Sequence, residues 1–270
     1  MKNNITLLFA LFTTIVFSQN FSGTAFYQWK QSSKDFENTV LADPKMNPAM
    51  RKIIEARMSK LFNKTFILNF DKNLSIYQEE EKLNIKNDNG SGSWSPNGLV
   101  LSNIKNLKEK QYIANTDLMS KIFNVQSDLQ NFKWELLSET KKIGNYLCNK
   151  ATCTIAVSEI ESNDYQKEKA AQEKNKTQFI NLKEPQDKKI EVWYTTEIAV
   201  NHGPDIFWGL PGLILEINDG ITNIVCSKLS LNSNQKLKIK IPKGQKISQQ
   251  EFNLLVEQKN KELESVDFTK

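Results

Sequence analysis

Histidine is almost missing from this chain of 270 residues, and His202 is the single one. A histidine-built zinc cluster or a two-histidine iron site cannot be assembled within one chain, and any Ser/His/Asp or Cys/His arrangement would have to run through that residue. No GxSxG elbow, HExxH helix or glycine-rich phosphate loop stands beside it. The cysteines Cys148, Cys153 and Cys226 are three in number and lack the close paired spacing of a thiolate zinc site. Blocks of one charge are absent as well. The 36 Lys and Arg are interspersed with 31 Asp and Glu, for a net charge of +5, which speaks for solubility and against a nucleic-acid partner. Beyond the N-terminus no apolar run is long enough for a transmembrane helix. No metal, no cofactor and no assembled catalytic group are expected.

The N-terminus has what the rest lacks. Lys2 precedes a mostly apolar run from Ile5 to Phe17 that is too short to span a bilayer comfortably and ends at Ser18-Gln19. This predicts a signal peptide over residues 1–18, cleavage after Ser18, and a protein that is exported to the periplasm or secreted. Residues 19–270 are long enough to bury one substantial core and are read as a single β-rich domain.

Along that domain the apolar period is mostly two. Phe21 to Lys30 alternates as a first strand, and Thr65–Phe70 with Leu74–Gln78 reads as a hairpin about Asp71-Lys72-Asn73. Further strands are expected at Leu99–Ile104, Gln111–Asn115, Lys121–Val125, Trp134–Glu139, Tyr146–Val157, Ile190–Thr195, Leu213–Ile217, Ile221–Leu229 and Leu237–Ile241, with Asn218-Asp219-Gly220 as a hairpin turn. Two stretches have helical spacing instead. Met46, Met50, Ile53, Ile54, Met58, Leu61 and Phe62 follow an Asn47-Pro48 start, giving a helix near 47–62 whose methionine stripe is expected to cover the sheet or to meet a ligand. A Ser248/Glu251 capping box opens a second helix near 248–265, with Phe252, Leu255, Val256 and Leu263 on one face. Lys86–Gly98, holding Trp94, is read as a loop. Glu159–Lys189 is too poor in large apolar side chains to bury itself and is read as a solvated helix or insertion at about 159–189. The fold class is therefore α+β, mostly antiparallel sheet.

The segment Trp193 to Asn218, WYTTEIAVNHGPDIFWGLPGLILEIN, is the densest in glycine, proline and aromatic residues. Its hexapeptide Gly209-Leu210-Pro211-Gly212-Leu213-Ile214, the approach Trp193-Tyr194-Thr195, Glu197-Ile198, His202-Gly203-Pro204 and the exit Leu215-Glu216-Ile217 resemble the signature of the GLPGLI family, exported proteins of Bacteroidetes. So does the upstream Gly144-Asn145-Tyr146-Leu147-Cys148-Asn149-Lys150-Ala151. The resemblance implies export and brings no agreed activity with it. From the residues themselves, Gly203-Pro204 builds a turn, and Gly209 to Gly212 marks a corner or bulge leading into the strand Leu213-Ile214-Leu215. Such a corner is pure architecture, or it sets Trp193, Tyr194, His202, Phe207 and Trp208 against a ligand or partner.

Cys148 and Cys153 lie too far apart along one strand to be bridged. Period-two alternation puts Cys148 and Cys226 on matching faces, so those two are expected to pair, leaving Cys153 as a buried thiol. The order of helix, many strands and a late WYT strand looks like the open, curved sheets of periplasmic lipid or lipoprotein carriers. That likeness implies non-catalytic binding of an apolar or peptide-like ligand. The alternatives are an accessory protein docking on an outer-membrane transport system through its aromatic loop, and a hydrolase using a carboxylate or His202.

Overall fold

The computed structural model describes residues 21–32, 47–80, 99–175, 182, 184–232 and 240–264. Its strands are β1 (Ser22–Gln31), β2 (Asn63–Asp71), β3 (Leu74–Glu79), β4 (Leu99–Asn106), β5 (Gln111–Leu118) and β6 (Lys121–Asp128), then β7 (Glu135–Ile143), β8 (Tyr146–Ile155), β9 (Lys188–Thr195), β10 (Leu213–Asn218), β11 (Thr222–Asn232) and β12 (Gln245–Ser248). The helices among the described residues are α1 (Pro48–Phe62), α2 (Glu159–Asn175) and α3 (Gln249–Glu264). All the strands form one open 12-stranded sheet in the order β12-β6-β5-β4-β3-β2-β1-β11-β10-β9-β8-β7. Every pairing is antiparallel except that of β12 with β6. The α+β, antiparallel expectation is met.

Local chemistry explains most boundaries. Asp71 Oδ1 accepts from the N–H groups of Asn73 and Leu74 and so closes the β2–β3 turn. Asn218 and Asp219 do the same for β10–β11, where Gly220 takes a positive φ of 86°. Asn47 Oδ1 caps α1 by accepting from Ala49 N, with Pro48 in the first turn. Ser248 and Glu251 form the reciprocal capping box of α3. That helix lays Phe252 and Val256 on Leu118, Phe123 and Val125, a small core at the β6 end of the sheet.

Several expectations shift. The last strand is Gln245–Ser248; Leu237 to Ile239 lie outside the described residues, and Lys240 and Ile241 are not in a strand. The segment at 159–189 divides into the exposed helix α2 and the start of β9, which already includes Lys188 and Lys189. Along α1, Met50 and Ile53 are half exposed, so this end of the methionine stripe faces outward. Residues 1–20 and the 86–98 loop with Trp94 lie outside the described residues.

The main core is built by β1, β2, β3, β8, β9, β10 and β11, and the β9–β10 connection is part of it. Flat, the five strand spacings from β10 to β4 would measure about 24 Å. One short turn of chain bridges them. His202 O accepts from Ile214 N at 3.0 Å, and the next residue, Gly203, accepts through its carbonyl from Lys105 Nζ of β4 at 2.7 Å. The sheet is therefore bent into a trough, and the loop 196–212 lies inside it.

Candidate functional site

The signature loop is held first by its own backbone. Leu213 N donates to Ile198 O, Gly209 N to Asn201 O and Gly212 N to Leu210 O, while His202 and Trp208 form an isolated antiparallel bridge. A Cβ on Gly212 would overlap the backbone carbonyl of Thr195, and one on Gly203 would come within 2.8 Å of Ile214 Cδ1. Gly209 has φ of 96°. Glycine at 203, 209 and 212 is thus a requirement of clearance or of backbone conformation. Leu210, Leu213 and Ile214 are buried to within one per cent, Pro204 is buried, and Pro211 is exposed. Tyr27 Oη donates to Ile214 O at 2.7 Å from across the trough.

A pair of indoles clasps the loop from the side. Trp208 Nε1 donates to Gln130 O at 2.7 Å, and Trp134 Nε1 donates back to Trp208 O at 2.9 Å. Phe132 fills the space between, stacked on Phe207 at 5.3 Å and tilted against Trp134. Phe207 and Trp208 therefore close the fold locally.

The other end of the loop is polar and deep. Lys105 sits at an inward position of β4 and is fully buried, its ammonium donating to the carbonyls of Gly203 and Asp205. Burial pulls the Lys105 amine down to about 7, and only the neighbouring Asp205 acts the other way. Asp205 has φ of 51° and accepts from Asn103 Nδ2 at 2.6 Å; burial raises its carboxyl above the usual range, while Lys105 and the Asn103 hydrogen bond oppose the shift. His202 is wholly buried beside the Phe70 ring, and neither ring nitrogen makes a hydrogen bond of good geometry. Burial, with Lys105 second, lowers its imidazole to about 3, and the nearby Asp71 backbone offsets only part of that. His202 is a neutral residue of the buried core.

Beside this anchor opens a cleft of about 170 Å³, lined by Trp29, Phe66, Tyr77, Ser102, Asn103 and Asp205 together with Gln78, Val100, Leu101 and Ile224. Its wall is aromatic: Phe66 stacks on Tyr77 at 4.8 Å. Two polar atoms of its inward-facing side chains are unpaired. Tyr77 Oη and Asn103 Oδ1 are buried without a hydrogen-bond partner on residues only 4% and 8% exposed. Buried polar atoms ordinarily find partners, so two orphans on one small cleft mark a place built to receive something. At the rim, Leu99, Val100 and Leu101 are exposed apolar side chains. Among the described residues no group of His, Cys, Asp and Glu could hold a metal ion, and no helix is long and apolar enough to cross a membrane.

The remaining sequence candidates lie elsewhere. Tyr194 is in the main core. Trp193 is half buried on the opposite face of the sheet, with Lys141 Nζ 4.4 Å and Lys150 Nζ 5.7 Å from its ring centre. Lys141 also pairs with Glu216 at 2.7 Å. The expected Cys148–Cys226 bridge is not formed: all three cysteines are free. Two strands, β9 and β10, separate β8 from β11, a spacing of about 14 Å against a bridging limit of roughly 7 Å. The alternation that suggested the pairing also fails at this end of β8, where Leu147 is exposed and Cys148 buried. There the loop folds over the strand, and Leu147 N donates to Glu197 Oε1. Burial raises all three thiols to about 11, which keeps them inert.

Trp29, Phe66, Tyr77, Ser102, Asn103, Lys105 and Asp205 were not among the sequence candidates. The signal was slight: Ser102, Asn103, Lys105 and Asn106 make half of β4 polar, and Asp205 follows directly on the Gly203-Pro204 turn.

The family described as a protein of unknown function (Porph_ging) matches residues 134–216, from the clasping Trp134 through the loop into β10. No curated protein matches the chain. Among solved structures, PNGF-II in a P21 crystal form is similar, with a TM-score of 0.50 and 16% identity over 87% of this chain and 33% of that one. The C2 form gives 0.49 and 16% over 87% and 32%. The chain spans about a third of the length of these structures, and at such identity the P21 likeness extends to the fold alone.

Proposed function

We propose that this chain is an exported envelope protein with a non-catalytic binding role, and that its site is the cleft between β1–β4 and the turn at Asp205. The observation that carries the reading is the pair of buried, unpaired atoms Tyr77 Oη and Asn103 Oδ1 on an aromatic-walled cavity. The trough of a lipid carrier is open; here the signature loop fills it, so the ligand is a small apolar or peptide-like group held at one end. Catalysis through His202 is disfavoured by its burial. Gentle native mass spectrometry of protein taken from its own envelope tests the reading, comparing wild type with Trp29→Ala. A ligand that travels with the wild type and is lost from the folded variant supports it; a ligand retained by the variant sinks it.

A second reading, an accessory interaction protein of an outer-membrane transport system, is favoured by the edge strand β7. It exposes Leu136 and Leu137 just beyond the indole clasp and, among the described residues, has no partner strand on its outer side. Co-purification of an envelope protein that is lost on Leu136→Lys would favour it over the cleft.

A further inference from the structure

The polar groups of the cleft are not neutral in what they ask of a ligand. Asn103 spends its amide N–H on Asp205 and leaves Oδ1 unpaired, so it presents an acceptor. Asp205 is a second acceptor. Its charge is already faced by Lys105, whose ammonium is committed to two loop carbonyls. Tyr77 carries a hydroxyl that donates or accepts as needed. The cleft thus offers fixed acceptors, an adaptable hydroxyl and, among the described residues, no free cation, with charge locally balanced. An anion finds no counter-charge there, and a cation meets Lys105 close behind Asp205. A neutral N–H or O–H donor meets its complement.

The walls restrict what carries that donor. Trp29, Phe66 and Tyr77 supply flat π-faces, Ile224 and Leu101 supply apolar edges, and the space of about 170 Å³ exceeds a single aromatic ring by a modest margin. Leu99, Val100 and Leu101 continue the apolar surface outward from the mouth. A ring seated in the cleft would therefore have room for an attached chain running over that rim. Resting on the binding role proposed above, we infer that the cleft is a side-chain pocket for an aromatic group bearing a hydrogen-bond donor, the phenol or indole of a tyrosine or tryptophan in a peptide partner.

The test uses ligands of one size that differ only in the donor. The folded protein is titrated with p-cresol and with toluene, and separately with indole, by ligand-observed NMR and by the shift of the thermal midpoint. The expected result is saturable binding of p-cresol and indole, with toluene at least about tenfold weaker because Asn103 Oδ1 is then left unpaired. Asp205→Asn keeps the size and suits the positive φ, and should reduce the preference for p-cresol over toluene severalfold. Tyr77→Phe, which removes an unpaired hydroxyl, is the milder companion should Asp205→Asn disturb the fold. Equal binding of p-cresol and toluene overturns the donor inference and leaves the cleft as a binding site. Failure of all three probes, with a co-purifying ligand that survives Trp29→Ala, overturns both.

Discussion

The loop inside the trough is secured by opposite means at its two ends. From Gly209 to Gly212 the securing is geometric, with short backbone hydrogen bonds, buried Leu210 and clearances that admit no side chain. From His202 to Asp205 it is electrostatic, with a buried ammonium on two carbonyls, a half-buried carboxylate and an imidazole without a hydrogen bond. The first end should be intolerant of volume and indifferent to pH. The second should tolerate volume better and respond to charge. The cleft opens beside the second end, where polar groups are already buried, and none of its lining comes from Gly209–Gly212.

The largest effect is expected at the geometric end. Gly212→Val drives a branched side chain into the Thr195 carbonyl, where backbone on both sides is paired and cannot retreat. We expect a loss of about 4 kcal/mol or more, read as a lowered urea midpoint or as failure to accumulate folded protein. A variant of near wild-type midpoint would show that the loop relaxes and that the contrast between the ends is false.

At the electrostatic end, Lys105→Met keeps the apolar stem and removes the ammonium. The Gly203 and Asp205 carbonyls then lose their donor and the Asp205 carboxyl its counter-charge, for an expected loss of about 3 kcal/mol. Adding Asp205→Asn to Lys105→Met should recover part of that loss, since removing both partners of a buried pair costs less than removing one. A double variant less stable than the single one by the full cost of Asp205→Asn alone would show that the two residues are not coupled.

Far more of the fold than of the site was legible in the sequence. Strands such as β9 were visible because one face is packed and the other more exposed, and turns because Asp71, Asn218 and Asp219 close them with their own side chains. The capping residues Asn47, Ser248 and Glu251 are equally local. The cleft is not local. Trp29, Phe66, Tyr77 and Ser102 come from four strands whose adjacency depends on the sheet order, and Asp205 reaches them through a loop that crosses the trough. The cysteine pairing failed for the same reason, since alternation gives the face a residue occupies but not which strand lies beside it. Of the conspicuous aromatic residues of the signature, Phe207 and Trp208 pack in the clasp beside the loop and Trp193 lies on the other face of the sheet.

A smaller effect follows from His202. Its imidazole titrates at about 3 when folded against an ordinary value near 6.5, so the unfolded chain takes up a proton first as pH falls. The contribution is present above about pH 6.5 and is lost progressively below it, by roughly 2 kcal/mol at pH 5. Urea midpoints at pH 7 and pH 5 should therefore separate in the wild type. In His202→Phe the separation should shrink, while in a mild Gly209 variant such as Gly209→Asn it should persist. An unchanged separation in His202→Phe would assign the acid limb to other groups.

The smallest effect belongs to the segment that neither end of the loop touches. Helix α2 is mostly exposed, with Tyr165 and Gln172 partly buried, and the surface pair Glu161–Lys188 at 2.8 Å ties it to the sheet, with Glu161 also closing the helix start through Ser158. Exposed pairs of this kind contribute little, because water screens the charges and two long side chains must be ordered to make them. Replacing residues 159–175 with a short Gly/Ser linker should shift stability by less than about 1 kcal/mol and leave binding of p-cresol at the cleft unchanged. Thermal unfolding followed by circular dichroism, alongside the same titration, checks both at once. A broad or early transition would mean that α2 packs against the domain, and that the stability assigned to the two ends of the loop is shared with a third region.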